Sequence, residues 1–158
     1  MTITVIGAGK LKEKYFRDAI EEYAKRLSRF VKLQIIEVPD EKIPENASEK
    51  QCAVVREKEG AQMLSRYNPA SFCIALCVEG DTLSSEALAE KIAKASMHYS
   101  HITFFIGGSL GLSDAVKNAS QLRLSFGRMT LPHQLMRVVL LEQIYRAYKI
   151  NANENYHK

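Results

Sequence analysis

Hydrophobic and polar positions follow two kinds of spacing along the chain. Short runs rich in β-branched and apolar residues, typical of strands, alternate with longer stretches in which apolar residues recur every three or four positions, as on one face of a helix. The run Ser71–Val78 is apolar almost throughout, which predicts a strand buried on both faces of a parallel sheet. The predicted strands are Thr2–Ile6, Lys32–Val38, Ser71–Val78, His101–Ile106 and Leu122–Phe126.

The stretches between these strands predict helices. The apolar stripe of the first runs from Leu11 to Phe30, the second spans Ser48–Tyr67 with Ser48 as its N-cap, and the third follows a cap at Ser84 or Ser85. A short helix is predicted over Ser113–Ala119, and Glu79-Gly80-Asp81 is predicted to be a turn. Strands that alternate with helices predict one α/β domain over residues 1–158, with a mostly parallel sheet flanked by helices.

The stretch Leu124–Ile150 joins a strand end, a loop and a nearly all-apolar helix. Pro132 presets the backbone for a first helical turn, and Thr130 is a candidate cap. Apolar residues fill both flanks of this helix, so it must be covered on more than one face. We therefore expect one flank to pack against a second copy of the chain, giving a homodimer.

Two arginines on this helix need anions. Glu142 lies four residues before Arg146, the spacing of a helical ion pair. Arg137 has no partner nearby in the sequence, which makes it a candidate to bind a phosphate, a ligand carboxylate or the partner subunit.

Glycines after a predicted central strand indicate a ligand site. Gly107 to Leu112 (GGSLGL) directly follows His101–Ile106, and open α/β sheets place ligands at the carboxyl ends of their strands. The alternative is a tight turn without a ligand. Gly7-Ala8-Gly9 invites comparison with a dinucleotide-binding turn, but the third glycine position is occupied by Lys12, which argues against that hypothesis.

Composition narrows the classes of protein. No apolar run reaches the length of a membrane span, and the N-terminal residues read as a strand rather than a signal peptide, so a cytoplasmic location is expected. The odd cysteine count, 3, favours free thiols. His98 and His101 lack a third ligand, so no metal site is expected. The net charge is +4, and residues 115–158 hold seven Lys and Arg against two Asp and Glu, which suits a phosphate-bearing partner.

Three motifs together resemble one known family. GGSLGL at 107–112, LSFGRMTLPHQLMRVVLLEQIYRA at 124–147 and YHK at 156–158 are similar to the ribosomal large-subunit pseudouridine N3-methyltransferases of the SPOUT class. KLKEKYFRDAIEEYAKRL near the start, IIEVPDEK and EKEG at 57–60 are similar as well, so the resemblance covers the whole chain. It implies a SPOUT α/β fold with a C-terminal trefoil knot, a homodimer, and S-adenosylmethionine as the cofactor.

The resemblance also implies site residues. The positions implied to bind the cofactor are Leu76, Gly107, Phe126, Gly127, Arg128, Met129, Thr130 and Leu131. Arg146 is implied to stabilise the developing anion, and Tyr156 and His157 to orient the base or relay its proton. Two features depart from the family pattern: Gly127 stands where a small polar residue is usual, and NANEN precedes the final YHK. We expect the first to loosen the loop and the second to alter the tail.

The implied reaction is methyl transfer to N3 of a pseudouridine in the loop of helix 69 of 23S rRNA, in the assembled ribosome or large subunit. The alternatives are a non-catalytic RNA- or ribosome-binding dimer that keeps the fold, and a methyltransferase for another uridine or for pseudouridine N1.

Overall fold

The computed structural model describes residues 1–158 and contains one sheet of five parallel strands. The strand order is β2-β1-β4-β3-β5, so the chain's third, fourth and first strands are the interior ones. This confirms the predicted α/β class with a parallel sheet. The strands are β1 (Thr2–Ala8), β2 (Lys32–Val38), β3 (Phe72–Thr82), β4 (His101–Ile106) and β5 (Leu122–Ser125).

Five helices cover the two faces of the sheet. They are α1 (Lys14–Leu27), α2 (Glu49–Leu64), α3 (Ser85–Ser96), α4 (Asp114–Asn118) and α5 (His133–Asn151). α1 and α3 both contact α5 on one face, whereas α2 and α4 contact each other on the other. Each layer has its own core: Phe104 and Leu140 belong to the larger cluster, and Phe105 and Val116 to the smaller. None of the helices combines the length and apolarity that crossing a bilayer requires.

Several helix boundaries differ from the predicted ones. α1 begins at Lys14, so Leu11 precedes it, and α2 ends three residues before Tyr67. Ser48 and Ser84 cap α2 and α3 as predicted, each accepting a hydrogen bond from a backbone N–H of the first turn. The predicted cap at Thr130 is wrong: α5 starts at His133 after Pro132, which supplies no side-chain cap.

The prediction of a turn at Glu79-Gly80-Asp81 is also wrong, because β3 continues to Thr82. β3 pairs with β5 in two registers: Leu124 is opposite Leu76 in the first and opposite Asp81 in the second. Residues 77–80 therefore form a bulge at this edge of the sheet. A Cβ on Gly80 would lie 2.7 Å from the backbone of Arg123, so the bulge passes close over β5. The trefoil knot stays a prediction, with which this arrangement is consistent.

Candidate active site

A large cavity opens where the central strands end. Its volume is about 1080 Å³ and 28 residues from α2, β3, α4, the start of α5 and the loops after β4 and β5 line it. Ligand sites typically measure roughly 300–1,000 Å³. The cavity is therefore large enough for a cofactor together with part of a substrate.

Most of the residues predicted to bind the cofactor line this one cavity. The predicted residues in its wall are Leu76, Gly107, Phe126, Gly127, Met129, Thr130 and Leu131. Arg128 is an exposed member of the same loop, but its side chain is not part of the wall. Local sequence reasoning missed the wall formed by α2, where Ala53, Arg56 and Glu57 face the cavity.

The two loops at the cavity depend on glycine. A Cβ on Gly107 would lie 2.4 Å from the carbonyl carbon of Gly111, a distance that real side chains do not show. Gly127 has φ +120, in the region that favours glycine. The hydroxyl of Ser125 holds Gly127 from both sides, accepting from its N–H at 3.2 Å and donating to its carbonyl at 3.1 Å.

Arg137 belongs to the first turns of α5, and its side chain points toward the ends of β1 and β2 and not into the cavity. Its side chain is 2% exposed, and it donates to Glu37 Oε2 at 2.9 Å and to the carbonyls of Ala8 and Gly9 at 2.8 and 2.6 Å. The prediction that Arg137 binds a ligand or a partner is therefore wrong, because its own chain supplies the acceptors. A Cβ on Gly7 would lie 3.0 Å from Arg137 Nε, so this glycine makes room for an arginine rather than a dinucleotide.

His133 brings the only imidazole into the cavity wall. Burial lowers the pKa of His133, the positive charges of Arg137 and Lys12 lower it further, and Asp40 acts in the opposite direction. The imidazole is therefore neutral at neutral pH and can accept a hydrogen bond there.

The three predicted catalytic residues lie together. Arg146 Nη1 is 3.2 Å from His157 Nδ1, and its guanidinium carbon lies 4.7 Å from the centre of the Tyr156 ring. Glu142 joins the cluster by accepting from Arg146 Nε at 3.0 Å and from the Tyr156 hydroxyl at 3.1 Å. The predicted Glu142–Arg146 pair is thus confirmed. The other nitrogen of His157, Nε2, is 2.5 Å from Glu86.

The environment of Tyr156 favours its neutral form. Burial raises the pKa of Tyr156, and the charge of Glu142 raises it further. The phenol therefore keeps its proton at neutral pH and acts as a hydrogen-bond donor.

The predicted catalytic cluster, which consists of Glu142, Arg146, Tyr156 and His157, is separate from the cavity within one chain. No residue of the cluster lines the cavity, whereas Met136, ten positions before Arg146 on α5, does. Ten residues of helix span about 15 Å. The structure therefore places the residues predicted to bind the cofactor at the cavity and the residues predicted to be catalytic in a separate cluster.

The tail that carries Tyr156 and His157 is anchored at the NANEN segment. Asn153 has φ +55, which reverses the chain after α5, and Glu154 pairs with Arg29 at 2.7 Å and with Lys149. These contacts fix the path of the tail on α5.

The cysteines and the potential metal ligands are dispersed over the chain. All three cysteines are free, and burial raises the pKa of Cys73 to about 11, which keeps it a thiol. No group of three or more His, Cys, Asp or Glu side chains is arranged to hold a metal ion.

Two further acidic residues were missed by the sequence analysis. Glu59 of α2 is 5% exposed and lies beneath Gly108 of the glycine loop. Glu37 neutralises Arg137 across the fold. Neither has a local sequence signal, since the partners of both come from distant segments.

Known proteins are similar in sequence to this chain over its full length. It is 56% identical to proteins named "Ribosomal RNA large subunit methyltransferase H" from Bifidobacterium animalis subsp. lactis and Clostridium novyi, and 55% identical to one from Lacticaseibacillus casei. Each comparison covers 100% of both chains.

The fold is also found in a solved structure of low sequence identity. It is described as a probable methylase family protein from Haemophilus influenzae Rd KW20, with a TM-score of 0.56 and 11% identity over 96% of this chain and 66% of that one. At such identity the likeness concerns the fold alone. The family model described as "Predicted SPOUT methyltransferase" matches residues 1–157, so this chain belongs to the SPOUT methyltransferase family.

Proposed function

We propose that this chain methylates large-subunit ribosomal RNA, at N3 of a pseudouridine in the loop of helix 69 of 23S rRNA. The observation that carries the proposal is the full-length identity of 55–56% to relatives named as large-subunit rRNA methyltransferases. The specific nucleotide rests on the resemblance of the motifs at 107–112, 124–147 and 156–158. Because the proposed substrate is ribosomal RNA, we propose a cytoplasmic location.

The proposed methyl donor is S-adenosylmethionine, which supplies an electrophilic methyl group on a sulfonium sulfur. The cavity suits it because Leu76 and Met129 offer apolar walls, while the glycine loop is open at Gly111, where a Cβ would meet no atom within 4 Å. The backbone groups of 126–131 are proposed to pair with an adenine edge. Arg128 contributes its backbone to this loop, and its side chain stays outside.

The chemistry requires that the N3 proton leave as the nitrogen attacks. Arg146 is proposed to stabilise the negative charge that develops on the imide, although Glu142 already offsets part of its charge. Tyr156, whose hydroxyl proton is donated to Glu142, is proposed to orient the base by accepting a hydrogen bond on its hydroxyl oxygen. His157 is proposed to relay the proton, since its two ring nitrogens face Arg146 and Glu86.

These roles require two copies of the chain. Because about 15 Å of helix separates Arg146 from the cavity of its own chain, Arg146 must reach a donor held elsewhere. A homodimer in which the cluster of one copy faces the cavity of the other meets this requirement. The half-buried Val138 and Val139 on α5 offer an apolar surface for that pairing.

Two measurements test the proposal. Calorimetric titration with S-adenosylmethionine should give saturable binding, and absence of heat at millimolar donor would favour a non-catalytic ribosome-binding dimer. Mass spectrometry of helix 69 nucleosides from a deletion strain should show loss of the methylpseudouridine. An unchanged methylpseudouridine peak would instead favour another uridine, or pseudouridine N1, as the target.

A further inference from the structure

Three cations on loops next to the cavity wall have no carboxylate partner. They are Lys10 and Lys12 from the loop after β1, and Arg128 from the loop after β5, and we call them the basic rim. All three residues are exposed, and none takes part in an ion pair of the chain. Lys14, which follows the two lysines in sequence, is instead paired with Asp18 at 2.7 Å.

Contacts with the cavity wall fix the location of the basic rim. The Lys12 backbone N–H donates to Gln134 Oε1 at 3.2 Å, and the adjacent residue, His133, lines the cavity. The charge of Lys12 also contributes to the lowered pKa of His133. Arg128 lies between Gly127 and Met129, both in the cavity wall.

The loop that carries the two lysines is held rigid although it is exposed. Leu11 N–H donates to Glu37 Oε2 at 3.0 Å, and the guanidinium of Arg17 donates to the carbonyls of Leu11 and Lys12 at 3.1 and 2.9 Å. These bonds fix the backbone and leave the Lys10 and Lys12 ammonium groups free. Such preorganisation lowers the entropy cost of binding an anion.

An exposed aromatic residue follows the two lysines in sequence. The Tyr15 side chain is exposed, and its ring packs at 4.6 Å from that of Phe16. Free cations beside an exposed aromatic ring suit a strand with phosphates and unstacked bases, because bases stack on aromatic rings while cations bind the backbone. The acidic groups facing this region are Glu13, Asp40 and Glu37. Because Glu37 is already paired with Arg137, an excess of positive charge remains.

We infer that the basic rim binds the phosphates of single-stranded RNA flanking the nucleotide that enters the cavity, and that Tyr15 stacks on an adjacent unpaired base. This inference rests on the proposed function and adds where the RNA lies on the enzyme. The segment 10–15 then acts as a docking surface, separate from the catalytic cluster.

Charge reversal tests the inference on the full-length protein with isolated large subunits or ribosomes as substrate. The double variant Lys10→Glu/Lys12→Glu should raise KM for the substrate about tenfold or more, leave kcat nearly unchanged, and lower the slope of log affinity against log salt by roughly 1 to 2. The matched control Lys25→Glu/Lys32→Glu makes the same charge change near the amino-terminal ends of the strands, away from the cavity, and should behave as wild type.

Tyr15 is tested with two substitutions. Tyr15→Ala should weaken substrate binding by roughly 5- to 150-fold, whereas Tyr15→Phe should restore most of it because the ring is kept. Binding of S-adenosylmethionine and the mass of the oligomer should be unchanged in every variant.

The outcomes separate the two proposals. An active wild type with rim variants of unchanged KM and salt slope would overturn the docking surface alone. Loss of the dimer in Tyr15→Ala would show a contact between copies of the chain and would also overturn it. A wild type that binds no donor and methylates no RNA would overturn the proposed function itself.

Discussion

Arg137 Nη1 lies 2.9 Å from Glu37 Oε2, although 100 residues separate the two in sequence. With the bonds from Arg137 to the carbonyls of Ala8 and Gly9, this pair ties the first turns of α5 to the ends of β1 and β2. Directional bonds therefore fix the position of α5 on the sheet, and α5 contributes His133 and Met136 to the cavity wall and Arg146 to the predicted catalytic cluster.

Replacing Arg137 with methionine should lower the free energy of unfolding by about 2–4 kcal/mol, because two buried carbonyls lose their donor. Urea denaturation of the purified protein measures this. Arg26→Met, at an exposed helical pair with Glu22, is the control and should change stability little. Equal stability of the two variants would contradict the role given to Arg137.

Gly107→Ala should weaken donor binding about 5- to 150-fold, because the new Cβ meets the backbone of Gly111 and displaces the loop that lines the cavity. This loss of affinity corresponds to roughly 1–3 kcal/mol, the usual cost of overpacking. Calorimetric titration measures the affinity. Gly108→Ala is the matched control in the same loop, since its Cβ would meet no atom closer than 3.3 Å. A larger loss in Gly108→Ala than in Gly107→Ala would contradict this explanation.

Arg146→Ala should abolish methylation while donor binding stays largely intact, because Arg146 lies outside the cavity wall. Turnover on ribosomes and donor titration are measured on the same preparation. An equal loss of both properties would make Arg146 a structural residue.

The composite site is tested by mixing Arg146→Ala with Gly107→Ala, with activity measured at a donor concentration low enough that the weakly binding Gly107→Ala chains are mostly empty. If Arg146 acts on the donor of the other copy, Arg146→Ala and Gly107→Ala chains, unfolded and refolded together in equal amounts, should recover about a quarter of the wild-type activity, since half of the dimers would hold one intact site. Each variant refolded alone is the control. No recovery in dimers shown by mass spectrometry to be mixed would place both residues in the site of a single chain.

Glu59→Gln should flatten the pH dependence of stability. Burial raises the pKa of Glu59 above its ordinary value of 4.5, so the folded chain holds this proton more tightly than the unfolded chain. The contribution of Glu59 is therefore fully present below pH 4.5 and is lost as the pH rises through the folded pKa. Unfolding free energies measured from that pH up to neutrality should decline less in Glu59→Gln than in wild type.

Glu59→Asp is the matched control for that comparison. It keeps a buried carboxylate and should keep the decline. A curve for Glu59→Gln that parallels the wild type would show that the charge of Glu59 is not penalised by burial.

Local patterns predicted the elements well because each strand and helix is encoded by neighbours in sequence. His101–Ile106 was predicted at its observed bounds, and Ser48 was predicted as a cap because a capping box is local. β3 was predicted too short because its last residues, from Asp81, are held in the sheet by a second pairing with β5. The polar residues at this end of the strand do not indicate that pairing. Thr130 failed as a cap because Pro132 already sets the start of α5.

The site was predictable where it depends on contiguous loops and not where distant segments meet. Gly107 and the loop 126–131, apart from Arg128, line one cavity, and their binding of a cofactor stays a prediction. The role of Arg137 was mistaken because its acceptors come from β1 and β2, which no local spacing reveals. Neither the α2 wall nor Glu59 beneath Gly108 could be read from the chain for the same reason.

The bulge at residues 77–80 links the cavity to the edge of the sheet. Cys77, Val78 and Glu79 line the cavity, while the residues on either side of the bulge pair with β5. A ligand held against the bulge stabilises the paired state of β3 and β5 by mass action. At saturating ligand, the free energy of stabilisation grows with the logarithm of the ligand concentration divided by the dissociation constant. Occupancy of the cavity thus suppresses local opening of β5, so amide hydrogen exchange in that short strand reports on ligand binding from outside the cavity.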